Sequence, residues 1–181
     1  MFSPPHVSPA NPKHALPVVW STNVEDYATS LAVSSDGTLT ALGNAAGELR
    51  VLDSASGEVR FRVAAHRGAI MAAAWSPKQR VLATVGQDGA ARLCDAEGVQ
   101  LAELPGGAPC VEHLAWAPDG QRLATSAGRV TRLWSSAGAP LWATDAHEST
   151  VTGLAWNRKG TQLATACYGG VRVVDVGSGA A

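Results

Sequence analysis

HLAWAPDGQRLATSAGRVTRLWSSAG, residues 113–138, reads as strand, turn, strand, turn, strand. The apolar run HLAW stops at Ala117-Pro118-Asp119-Gly120, where proline presets φ, aspartate tolerates the bridge region and glycine closes a type I turn. RLAT then alternates, with Arg122 and Ala124 facing one way and Leu123 and Thr125 the other. A glycine bend at 127–129 leads into RLW, which closes on Ser135, and Gly138 marks the next hairpin.

Working outward, the pattern returns at 30–57 (SLAVSSDGTLTALGNAAGELRVLDSASG), at 72–98 and at 153–179. With Val33, Trp75, Trp116 and Trp156 taken as equivalent, the spacings are 42, 41 and 40 residues. A period of about 40–45 residues with four short strands per unit is the spacing of propeller blades. Period-2 alternation runs throughout, with turn signals about every 8–12 residues and no convincing amphipathic helix, so the chain is expected to be all-β.

Over roughly residues 16–179 the chain resembles the WD-repeat family. The family blade opens with a Gly-His-like pair and ends its third strand on Trp-Asp. Here the first pair is Ala65-His66 or Ala146-His147, and the second is Leu52-Asp53, Cys94-Asp95, Trp134-Ser135 or Val174-Asp175. No blade holds the intact Trp-Asp pair; the common register of all four units carries the resemblance. The family also implies a buried hydrogen-bond chain of His, Ser/Thr, Asp and Trp in each blade. Blade two retains His66, Thr84 and Asp88, with Cys94 where the indole belongs, and blade four retains His147 and Thr165 without the acid. Blades one and three lack the histidine. A partly satisfied polar chain contributes little, so the apolar interior is expected to supply most of the stability.

The expected organisation is a Pro-rich disordered lead-in over 1–15, then a partial propeller over 16–181. Its blades fall at about 27–64, 69–105, 110–145 and 150–179, an incomplete ring of about four. The family's commonest ring has seven blades and needs about 280–315 residues at this period. The last unit stops after its third strand. Aligning Ser34 with Ser76 sets LPVVWST (16–22) against EVRFRVA (58–64), the outer strand of blade one. In the family such an N-terminal strand completes the last blade. Two readings stay open. The chain is a piece of a longer propeller, or two copies exchange strands into an eight-blade ring. Either way the open edges are templates for association, and an isolated monomer is expected to be sticky.

Composition narrows the function classes. A net charge of −1 argues against a protein that tracks nucleic-acid backbone, and nothing calls for an anionic membrane surface. The longest apolar stretch, GAIMAAAW at 68–75, is far short of the ~18 residues of a spanning helix. MFSPPHVSPANPKHALP has no cationic start and no apolar run, so it does not read as a secretory signal. Three scattered cysteines read as free thiols in a reducing compartment, and the expected location is cytoplasmic.

No enzyme constellation emerges. His66, Thr84 and Asp88 look superficially like a triad, yet they match the structural network position by position. Cys110 and His113 are three apart on a strand and face opposite sides, so no zinc site is expected. No Gly-rich phosphate loop precedes a helix, and no cofactor is expected. The resemblance implies a non-catalytic scaffold that binds other proteins or peptides through the loops before each first strand and between second and third strands. Those loops carry Asp26, Arg67, Gln87, Arg129, Glu148 and Tyr168. The rival reading is an assembly element whose main partner is another copy of itself.

Overall fold

A computed structural model of the chain describes residues 17–176. The lead-in expected over 1–15 lies outside the described residues, as do Leu16 and residues 177–181. The alternating Leu, Val and Ala runs form strands of four or six residues, joined into antiparallel meanders by glycine-closed turns. Blade 1 comprises β1 (Ala28–Val33), β2 (Leu39–Asn44), β3 (Glu48–Asp53) and β4 (Val59–Ala64). Blade 2 comprises β5 (Ile70–Trp75), β6 (Val81–Gly86), β7 (Ala90–Asp95) and β8 (Gln100–Pro105). Blade 3 has β9 (His113–Trp116), β10 (Arg122–Ala127), β11 (Val130–Ser135) and β12 (Pro140–Ala143). Blade 4, among the described residues, has three strands: β13 (Val151–Trp156), β14 (Gln162–Cys167) and β15 (Gly170–Asp175).

The Pro-Asp-Gly turn adopts the expected chemistry. Gly120 N donates to Ala117 O at 2.9 Å, Gln121 N donates to Asp119 Oδ1 at 2.9 Å, and Gly120 takes a φ of 70°.

The blades stand face to face as an open arc of an incomplete ring, their first strands β1, β5, β9 and β13 meeting in that order. One apolar core fills each junction. Leu49, Val51, Ile70 and Leu82 pack between blades 1 and 2, and Val85, Leu93, Leu104 and Leu123 between blades 2 and 3. Leu133 and Leu163 form the smaller third core with Leu154 and Trp156. Burying each such leucine or isoleucine is worth about 1.5–3 kcal/mol, so the stability of the arc resides largely between blades.

The segment expected as an outer strand at 16–22 behaves differently. Residues 17–24 pair with no strand. The ladder partner of such a strand is the third strand of a blade ahead of blade 1, and the arc holds no such blade. Trp20 instead donates from Nε1 to Ser54 O at 2.8 Å, and Arg50 Nη1 donates to Asn23 O at 3.0 Å.

Candidate partner-binding rim and the buried network behind it

The turn between second and third strands and the loop before the first strand lie at the same end of each blade, because backbone bonds tie them. Ala45 N donates to Tyr27 O at 2.9 Å in blade 1, and Gln87 N to Ala69 O at 3.1 Å in blade 2. Gln87 also uses its Oε1 to accept from Ala69 N. In blade 4, Tyr168 N donates to Ser149 Oγ at 2.8 Å. Arg129 joins two blades, its Nε donating to His147 O while His147 N donates to Arg129 O.

Asp26, Arg67, Gln87, Arg129, Glu148 and Tyr168 are thus all carried on this one rim. Arg67, Gln87, Arg129, Glu148 and Tyr168 are exposed, and Asp26 is half-buried with its Oδ1 accepting from Tyr27 N. Sequence reasoning missed Tyr27, which sits on the same rim of blade 1 and is 83% exposed, as Tyr168 of blade 4 is 87% exposed. The chain has two tyrosines, and both stand here in the open. The available signal was position: Tyr27 lies in the loop before a first strand, next to Asp26.

Behind the rim, the polar chain is split between blades. In blade 2, His66 Nδ1 lies 2.8 Å from Asp88 Oδ1 and Nε2 lies 2.9 Å from Thr84 Oγ1. Burial pushes the His66 pKa down against the opposing pull of Asp88, which favours the neutral ring, and Nδ1 stands 2.7 Å from Arg92 Nη1 as well as beside Asp88. Asp88 also accepts from Arg67 N and from Arg92 Nη1, and these bonds hold its carboxyl well below the usual range despite its desolvation. In blade 4, His147 Nε2 meets Thr165 Oγ1 at 3.2 Å, and burial lowers its pKa too. Blade 3 keeps the other half, Trp134 Nε1 donating to Thr125 Oγ1 at 2.9 Å.

Arg92 was not singled out by sequence. It bridges Asp88 at 2.7 Å and Glu103 at 3.1 Å. Its signal is an arginine at the third position of every third strand, namely Arg50, Arg92, Arg132 and Arg172. Thr84 is 2% exposed, and the trio ties the loop at Arg67 and the turn at Asp88 to β6. Among the described residues no three His, Cys, Asp or Glu side chains gather as a metal site. No helix of the described residues is long and apolar enough to cross a membrane.

Strand order, blade spacing and rim together define a propeller arc. The family described as "WD domain, G-beta repeat" matches at residues 57–95, 98–135 and 138–175, and the chain belongs to that family. Intraflagellar transport protein 80 homolog of Mus musculus is 24% identical, the match covering 68% of this chain and 21% of the mouse protein. Its Rattus norvegicus counterpart matches with the same identity and coverage. The chain thus spans about a fifth of the length of these curated relatives. Among solved structures, the computationally designed Ika4 protein shares the fold with a TM-score of 0.78 at 21% identity, over 90% of this chain and 99% of that one.

Proposed function

We propose that this chain is a non-catalytic scaffold that binds other proteins or peptides through the rim carrying Tyr27 and Tyr168. The exposure of both tyrosines on one rim carries the reading. Tyrosine buries a large amphipathic surface at low entropic cost, which suits both rings to contact with a partner. Around them stand charges of both signs, Arg67, Arg129 and Glu148, which suit a mixed polypeptide surface better than a polyanion. The three cysteines are all free, which fits a reducing, cytoplasmic setting.

A photo-crosslinking residue at Tyr168 tests this against one at Lys159, an exposed position in the Asn157–Gly160 turn of the same blade. Discrete cross-linked polypeptides are expected from position 168 and none from 159. Equal labelling from both would sink the rim assignment.

A second reading has its own observation behind it. β15 carries no outer strand among the described residues, so another copy of this chain is itself a fitting partner.

A further inference from the structure

Each turn between a third and an outer strand leans on the outer strand of the blade before it. A Cβ on Gly98 would come within 2.7 Å of Phe61 Cδ2 in β4, and one on Gly138 within 2.7 Å of Ala102 Cβ in β8. At Gly57 the corresponding neighbour is Trp20, whose Cδ2 would lie 2.8 Å from such a Cβ. Residues 17–24 therefore stand where the outer strand of a blade ahead of blade 1 belongs, already docked but without a ladder.

The same contacts fix the phase. Phe61 lies opposite Val51 of β3, and Trp142 opposite Leu133 of β11. Trp20 packs as Phe61 does, and Trp20-Ser21-Thr22 echoes Trp142-Ala143-Thr144. This is one residue away from the alignment that sets 16–22 against 58–64, and a slip of one residue turns every side chain to the other face.

The two ends of the arc are complementary. Val171 and Val173 are exposed on the open strand β15, and Val18 and Val19 are exposed in the unpaired segment. Val33 of β1 is 56% exposed, whereas its equivalents Trp75 and Trp116 are 8% and 9% exposed beneath the preceding blade. Blade 1 thus has an apolar face open to a neighbour, and the third strand of blade 4 pairs with no outer strand among the described residues.

We infer that residues 17–22 of one copy form the outer strand of blade 4 in a second copy, antiparallel to β15, with Trp20 opposite Val173 and Ser21 opposite Arg172. This rests on the reading that a second copy is a partner, and it adds the segment and its register. Two identical junctions close the pair into eight blades, as twofold symmetry requires. Main-chain bonds along β15 supply affinity, and the alternate side chains set the register. Trp20 keeps its hold on Gly57 and Ser54 of its own blade 1, so one indole clamps two sheets together. The junction also extends the rim. Arg129 in the blade 3 turn bonds His147 at the entry to blade 4, and the equivalent turn holding Tyr168 would meet residues 24–27 of the other copy.

The test co-expresses two forms of the full chain, each with Cys94, Cys110 and Cys167 replaced by alanine. One carries Ser21→Cys and the other Arg172→Cys. The expected result is twice the chain mass by light scattering and a disulfide-linked pair on mild oxidation. That pair should exceed the yield from Ser21→Cys with Val171→Cys at least tenfold, since side chains one residue apart point to opposite faces. A dimer that fails to link 21 to 172 overturns the strand exchange and its register, leaving the second-copy reading standing. A monomer or polydisperse species with native strand content overturns both, and leaves the rim assignment to its own crosslinking test.

Discussion

Trp116 Nε1 donates to Ala74 O at 3.0 Å, so the first strand of blade 3 is bonded to the first strand of blade 2 by an indole. Trp156 repeats the bond one blade later, donating to Ala115 O at 3.0 Å. Trp75, whose equivalent acceptor is the Ala32 carbonyl of β1, makes no such bond, and its buried Nε1 lacks a partner among the described residues.

These indoles give a paired test. Trp116→Phe removes an inter-blade bond and part of a ring, and should cost roughly 2–3 kcal/mol in urea unfolding followed by circular dichroism. Trp75→Phe removes a similar volume but no bond, and should cost about 1–1.5 kcal/mol less. Equal losses would show that the bond between first strands contributes nothing.

The buried histidines predict weakening in acid. His66 and His147 both have pKa values lowered by burial, so below about pH 6.5 the unfolded chain takes up protons that the folded chain refuses. Stability should be nearly full above that pH and fall as pH drops from about 6.5 to 5, by up to about 1.4 kcal/mol per pH unit for each histidine. Asp88, held in its charged form, adds a further loss only below about pH 4. His66→Gln should flatten the upper part of this profile. An unfolding midpoint that does not move between pH 7.5 and 5 would contradict the neutral, buried state of both rings.

Cys94 occupies the site that blade 3 gives to an indole, and it leaves a cavity of about 40 Å³ lined by Leu49, Val63, Thr84 and Leu93. Burial, helped by Asp95, pushes its thiol up to about 12, so the folded protein should resist alkylation there at pH 8. Cys94→Val adds about one methyl group to this space and should stabilise the arc by about 0.5–1 kcal/mol. A destabilised Cys94→Val would mean that the space cannot accept branched volume.

Much of the architecture was legible because it follows from short-range rules. The alternation in RLAT and RLW fixes strands, Pro118-Asp119-Gly120 fixes a turn, and the 40–42-residue spacing of Val33, Trp75, Trp116 and Trp156 fixes the blades. The pairings of His66 with Thr84 and of His147 with Thr165 were implied by the family resemblance, and they stand at 2.9 and 3.2 Å. Arg92 and Tyr27 were not. The partners of Arg92 come from a turn and an outer strand, and the exposure of Tyr27 depends on what the neighbouring blade leaves uncovered.

The sequence by itself determined the all-β repeat and its turns, because φ preferences and side-chain alternation act within a few residues. Tertiary structure decided where Trp20 sits and which face of its segment turns inward. The repeat alignment places it opposite Arg62, whereas packing against Gly57 puts it in the phase of Phe61. Contact between segments far apart in the chain depends on shape at the interface, and a bare glycine facing an indole selects one register where periodicity allows two.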